Sequence, residues 1–107
     1  MLLAQIKQLL IQTSIDIKDQ KTAEVFINDF LSDAELELLS KRLAVAYWLK
    51  KGRSYENIKQ NLKVSSATIA SIQKQMDKKG FKWAIKNLEA EEWANKWSER
   101  FKKVTKR

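Results

Sequence analysis

Ser65, Ser66, Ala67, Ala70, Ser71 and Lys74 are spaced so that a helix would bring them to one face. Their chemistry suits a nucleic-acid groove. Hydroxyls can hydrogen-bond base edges or phosphates, alanines admit close approach to thymine methyls, and an ammonium pairs with phosphate. Lys59 and Lys63 lie just upstream and add two cations within reach of a phosphate backbone.

Such a face reads DNA only if other elements hold it out, and the stretch SYENIKQNLKVSSATIASIQKQM, residues 54–76, supplies them. Counted from Tyr55, residues Ile58, Leu62, Val64, Ile69 and Ile72 fall at positions four, eight, ten, fifteen and eighteen. That spacing locks two short crossed helices into a helix-turn-helix. Ser54 and Ser65 or Ser66 stand where hydroxyls cap the two helices. The ninth position, which favours a positive φ and usually glycine, is Lys63, at a cost of about 1 kcal/mol if the turn is kept. A polar-faced helix pair also arises as ordinary packing, so charge is the independent sign. Residues 1–40 carry three lysines against seven acids, net −4, whereas residues 41–107 carry eighteen basic and six acidic residues, net +12. The basic charge travels with the candidate reader.

The chain has 107 residues, 44% of them hydrophobic, enough for one folded domain. Proline is absent and Gly52 and Gly80 are the two glycines, so long helices and an all-α fold are expected. No cysteine or histidine is present, which removes disulfides, thiolate or imidazole metal sites and histidine-assisted nucleophiles. Glu56, Glu89, Glu91 and Glu92 fall on solvated helix faces without a glycine-rich phosphate loop, and no enzyme, cofactor or metal is expected. The amino terminus lacks a signal-peptide pattern and no apolar run is long enough to span a membrane, making cytoplasmic location the expectation.

The predicted helices are 2–14, 21–30, a central helix from Asp33 to Lys51, the helix pair, and 81–103. Ser32 and Glu35 form a capping box. The central helix is apolar on two faces, with Leu36, Leu39, Leu43 and Ala46 on one and Leu38, Val45, Trp48 and Leu49 on the other. It therefore needs cover on both sides, which predicts a homodimer. Gly52 ends it as a left-handed cap, and Lys78-Lys79-Gly80 is expected to close the recognition helix. Trp93, Trp97 and Phe101, four residues apart, predict a last helix packed on the body and followed by a basic tail.

The segment FINDFLSDAELELLSKRLAVAYWLKKGRSYENI and the run Ala67-Thr68-Ile69 resemble the tryptophan repressor superfamily, in particular its shorter YerC/YecD-type relatives, from roughly Lys18 to Met76. The resemblance implies an intertwined dimer whose recognition helices enter successive major grooves of double-stranded DNA. It also implies DNA-facing roles for Lys59, Ser66, Ala67 and Ala70. The name-giving repressor holds its corepressor with two arginines; Arg42 aligns with one, but Ser71 replaces the other. DNA binding without tryptophan as corepressor is the expectation, and the sequence names no other effector. The organisation read from this is a TrpR-like helix-turn-helix domain over 1–80, with the motif at 54–77, and a carboxy-terminal amphipathic helix over 81–107. The full candidate DNA-binding set is Lys59, Lys63, Ser65, Ser66, Ala67, Thr68, Ala70, Ser71 and Lys74. The other function class compatible with these residues is a scaffold whose basic half binds acidic protein or RNA.

Overall fold

A computed structural model describes the backbone of residues 2–105 and the side chains of residues 2–93. Six helices follow one another with no strand among the described residues: α1 Leu2–Ile15, α2 Gln20–Phe30, α3 Asp33–Lys50, α4 Tyr55–Leu62, α5 Ser66–Gln75 and α6 Lys79–Thr105. The chain is all-α. It divides into two compact units, Met1–Leu38 and Leu39–Arg107.

Local side-chain hydrogen bonds set most helix starts. Asp19 caps α2 by accepting from the Thr22 backbone N–H at 2.8 Å and from the Thr22 hydroxyl at 2.9 Å. At α3 the reciprocal capping box forms. The Glu35 N–H donates to Ser32 Oγ at 3.2 Å, and the Ser32 N–H donates to Glu35 Oε1 at 2.9 Å. The backbone donors facing Asp19 and Glu35 hold both carboxyls below the usual carboxylate range. Both caps therefore contribute above that range and fade as pH falls through the lowered values. Gly52 ends α3 at φ +84°, the left-handed conformation glycine adopts without strain.

In the first unit, Phe26 and Phe30 stack with ring centroids 5.0 Å apart. With Ile6, Leu9 and Leu10 they line an open apolar groove of about 400 Å³. No side chain of α1 or α2 is fully buried. The second unit has the core: Val45 and Ala46 of α3, Ile58 of α4, Ile69 and Ile72 of α5 and Ile85 of α6, with Trp48, Leu49, Leu62, Val64 and Phe81 packed around them. Burying each isoleucine is worth about 1.5–3 kcal/mol, so this cluster is what fixes α4 and α5 to the scaffold.

One expectation is corrected. Lys78-Lys79-Gly80 does not close the recognition helix. α5 stops at Gln75, and the Lys82 N–H donates to the Lys78 carbonyl at 3.0 Å, so Gly80 sits in the first turn of α6. Gly80 is the second residue of this 27-residue helix, where glycine costs less than its penalty of about 1 kcal/mol in a helix interior. Val45 and Ala46 of α3 are buried by their own chain, whereas Leu38, Leu39 and Leu43 are exposed. Trp48 is half-buried, its face covered by the Arg53 guanidinium 3.8 Å from the ring centroid. Trp93, expected to pack on the body, is 64% exposed, while Trp97 and Phe101 lie outside the residues whose side chains are described. The start of α6 does pack, through Phe81 and Ile85.

Candidate nucleic-acid interface

Ser54 precedes α4 and accepts from the Asn57 N–H at 3.1 Å; Ser65 precedes α5 and accepts from the Thr68 N–H at 3.1 Å. Between them Lys63 adopts φ 56°, ψ 50° while its N–H donates to the Lys59 carbonyl at 2.9 Å. The turn is therefore kept, lysine and all. Ile58, Ile69 and Ile72 then anchor the two helices on α3 and α6 through the shared core.

With those isoleucines inward, Ser66, Ala67, Ser71 and Lys74 of α5 are exposed and Ala70 is half-buried at the edge of the same face. Ser65 and Thr68 are exposed too, but their hydroxyls lie 3.0 Å apart and are engaged with each other in the cap. Lys63 is exposed on the turn, and Lys59 is half-buried on α4. Glu56 is the one acid between residues 54 and 76, against Lys59, Lys63 and Lys74. The face is thus small, polar and net positive.

Sequence reasoning overlooked two residues of α5, Gln73 and Gln75. The Tyr55 hydroxyl donates to Gln73 Oε1. Arg42 of α3 donates through Nη2 to Gln75 Oε1 at 2.8 Å, and its guanidinium lies 5.0 Å from the centroid of the Phe81 ring. Glutamines on either side of a buried isoleucine stripe were the available signal, though nothing local names their partners. Both of these Arg42 contacts lie within its own chain.

Two capped helices crossing over a shared aliphatic core, joined by a left-handed turn, define a helix-turn-helix protein. The family model described as Trp repressor protein matches residues 4–90, so the chain belongs to the Trp repressor family of helix-turn-helix DNA-binding regulators, which are not enzymes. The match takes in most of α1, all of α2 to α5 and the first part of α6. No similar curated protein and no similar solved structure was found. Among the described residues, no helix is long and apolar enough to cross a membrane.

Proposed function

We propose that the chain is a sequence-specific, dimeric DNA-binding regulator that reads a duplex with α5. The observation that carries this is the exposed face of Ser66, Ala67, Ser71 and Lys74, with Ala70 at its edge, carried by a helix whose opposite side is buried through Ile69 and Ile72. In this reading Lys59, Lys63 and Lys74 contact phosphates, while Ser65, Ser66, Ala67, Thr68, Ala70 and Ser71 lie near base edges. Selection from a random duplex library at about 150 mM salt, where distant charges are screened, tests it. A two-fold-symmetric sequence should be enriched. Binding that ignores sequence and extends equally to RNA or acidic protein would make the scaffold reading the better one.

Phosphate contacts separate from base contacts by their salt dependence. Lys59→Ala and Lys74→Ala should weaken all duplexes alike and lower the slope of log affinity against log salt by about one for each phosphate no longer neutralised, or about two per dimer. An unchanged slope means that the substituted lysine touches no phosphate.

The dimer is supported by the exposed leucines and isoleucines of α1 together with Phe30, Leu38, Leu39 and Leu43. A second copy would remove apolar side chains of this kind from water. Light scattering should give about twice the 12.5 kDa chain mass, and a 12.5 kDa particle at micromolar concentration would rule the dimer out.

Tryptophan has no role as corepressor in this reading. Arg42 is committed to Gln75 and Phe81, and Ser71 supplies no second guanidinium. Titration calorimetry with L-tryptophan should be silent at micromolar concentrations; measurable heat that saturates there would restore the corepressor.

A further inference from the structure

The buried stripe of α5 consists of Ile69 and Ile72, and apolar contacts are non-directional, so a stripe this narrow leaves the roll of the helix about its own axis weakly set. Gln73 and Gln75 flank it. At 3.6 residues per turn the two glutamines lie about 160° apart across the buried side, one to the left and one to the right of the isoleucines. Each is tied to a different element: Gln73 to Tyr55 at the first turn of α4, Gln75 to Arg42 on α3. Arg42 is itself fixed, half-buried against the Phe81 ring of α6. The Gln75 amide is held at its other end as well, since Nε2 donates to the Ser71 carbonyl at 3.2 Å.

We propose that Gln73 and Gln75, through Tyr55 and Arg42, are positioning residues that set the roll of α5, so that its exposed face is presented at a fixed azimuth without a bound ligand. This rests on the DNA reading given above. A roll of about 20° swings a side-chain tip about 6 Å from the helix axis through about 2 Å. That exceeds the tolerance of a hydrogen bond to a base edge. Attraction to phosphate falls off slowly with distance and survives such a shift. Loss of the ties therefore removes sequence discrimination and spares general affinity.

The test compares the full-length parent with Gln73→Leu, Gln75→Leu, the double variant and Gln75→Glu, which keeps an acceptor for Arg42. For each, affinity for the selected duplex and for a scrambled one is measured at fixed salt, beside a thermal melt. In the double variant the ratio of the two affinities should fall about tenfold or more, the worth of one good base contact, while scrambled-duplex affinity stays within about twofold. Gln75→Glu should keep the parent's ratio. If the double variant does not fold, Gln73→Leu carries the test, because its tie is on the exposed side and its removal leaves the core intact. A folded variant that keeps the parent's ratio overturns this inference alone. So does a ratio held constant while both affinities drop with the melting temperature, since that marks a purely structural role. A parent that enriches no duplex at all overturns the DNA reading and this inference with it.

Discussion

In a chain carrying Ala70→Glu, binding to the selected duplex is expected to disappear while the helical circular dichroism and the melting temperature stay near those of the parent. Ala70 is half-buried at the border of the α5 face, and glutamate is a good helix former whose longer side chain can extend along the exposed side. The fold therefore loses little. Against DNA the effect is large, because a carboxylate about 4 Å from a phosphate or an acceptor-lined base edge is repelled by about 4 kcal/mol at an effective dielectric near 20. That is about a thousandfold in affinity. Parent-like binding by the variant would mean that α5 is not the reader, whatever its place in the fold.

The largest loss of stability should follow Ile69→Ala. Ile69 is fully buried among Val45, Ile58, Ile72 and Ile85, where neighbours from several helices cannot all close around a missing side chain. Truncations of this kind cost about 2–5 kcal/mol, a large share of the 5–15 kcal/mol that typical domains possess. Trp48→Ala should cost less than a fully buried tryptophan would, because Trp48 is half-buried and one face is covered by the Arg53 guanidinium. Urea midpoints compared at constant slope give both values. If Ile69→Ala costs under about 1 kcal/mol, or less than Trp48→Ala, the core is not organised around α5 as described.

What could be read from the sequence was what local chemistry decides. The Ser32–Glu35 box, the Ser54 cap and the left-handed Gly52 all join residues a few positions apart, so spacing and residue type suffice to name them, while spacing narrows the second cap to Ser65 or Ser66 and it falls on Ser65. The helix-turn-helix core was legible for the same reason: Ile58, Ile69 and Ile72 fall on the inward side of short helices whatever lies beneath. Contacts between distant residues were not. Arg42 and Gln75 are thirty-three positions apart and Tyr55 and Gln73 eighteen, and neither pair leaves a periodic trace. Gly80 misled because glycine marks helix ends statistically, yet in αR geometry it can as well sit in a first turn. The two apolar faces of α3 were visible as a pattern, and Leu38, Leu39 and Leu43, exposed within their own chain, agree with a helix that one chain covers incompletely.

The left-handed Lys63 bears on how such chains are recognised and how they can vary. A pattern that demands glycine at the corner of a helix-turn-helix passes over this chain, although the corner is made with an ordinary L-residue. Asparagine and aspartate enter this backbone region more readily than most residues and β-branched side chains hardly at all, so the tolerated alphabet here is narrow and does not follow hydropathy. Lysine is a costly choice on conformational grounds, by about 1 kcal/mol, yet it sets a cation at the tip of the turn where glycine could set none. Natural variation at this corner should therefore trade stability against charge, with lysine kept where polyanion attraction matters more and glycine where folding does.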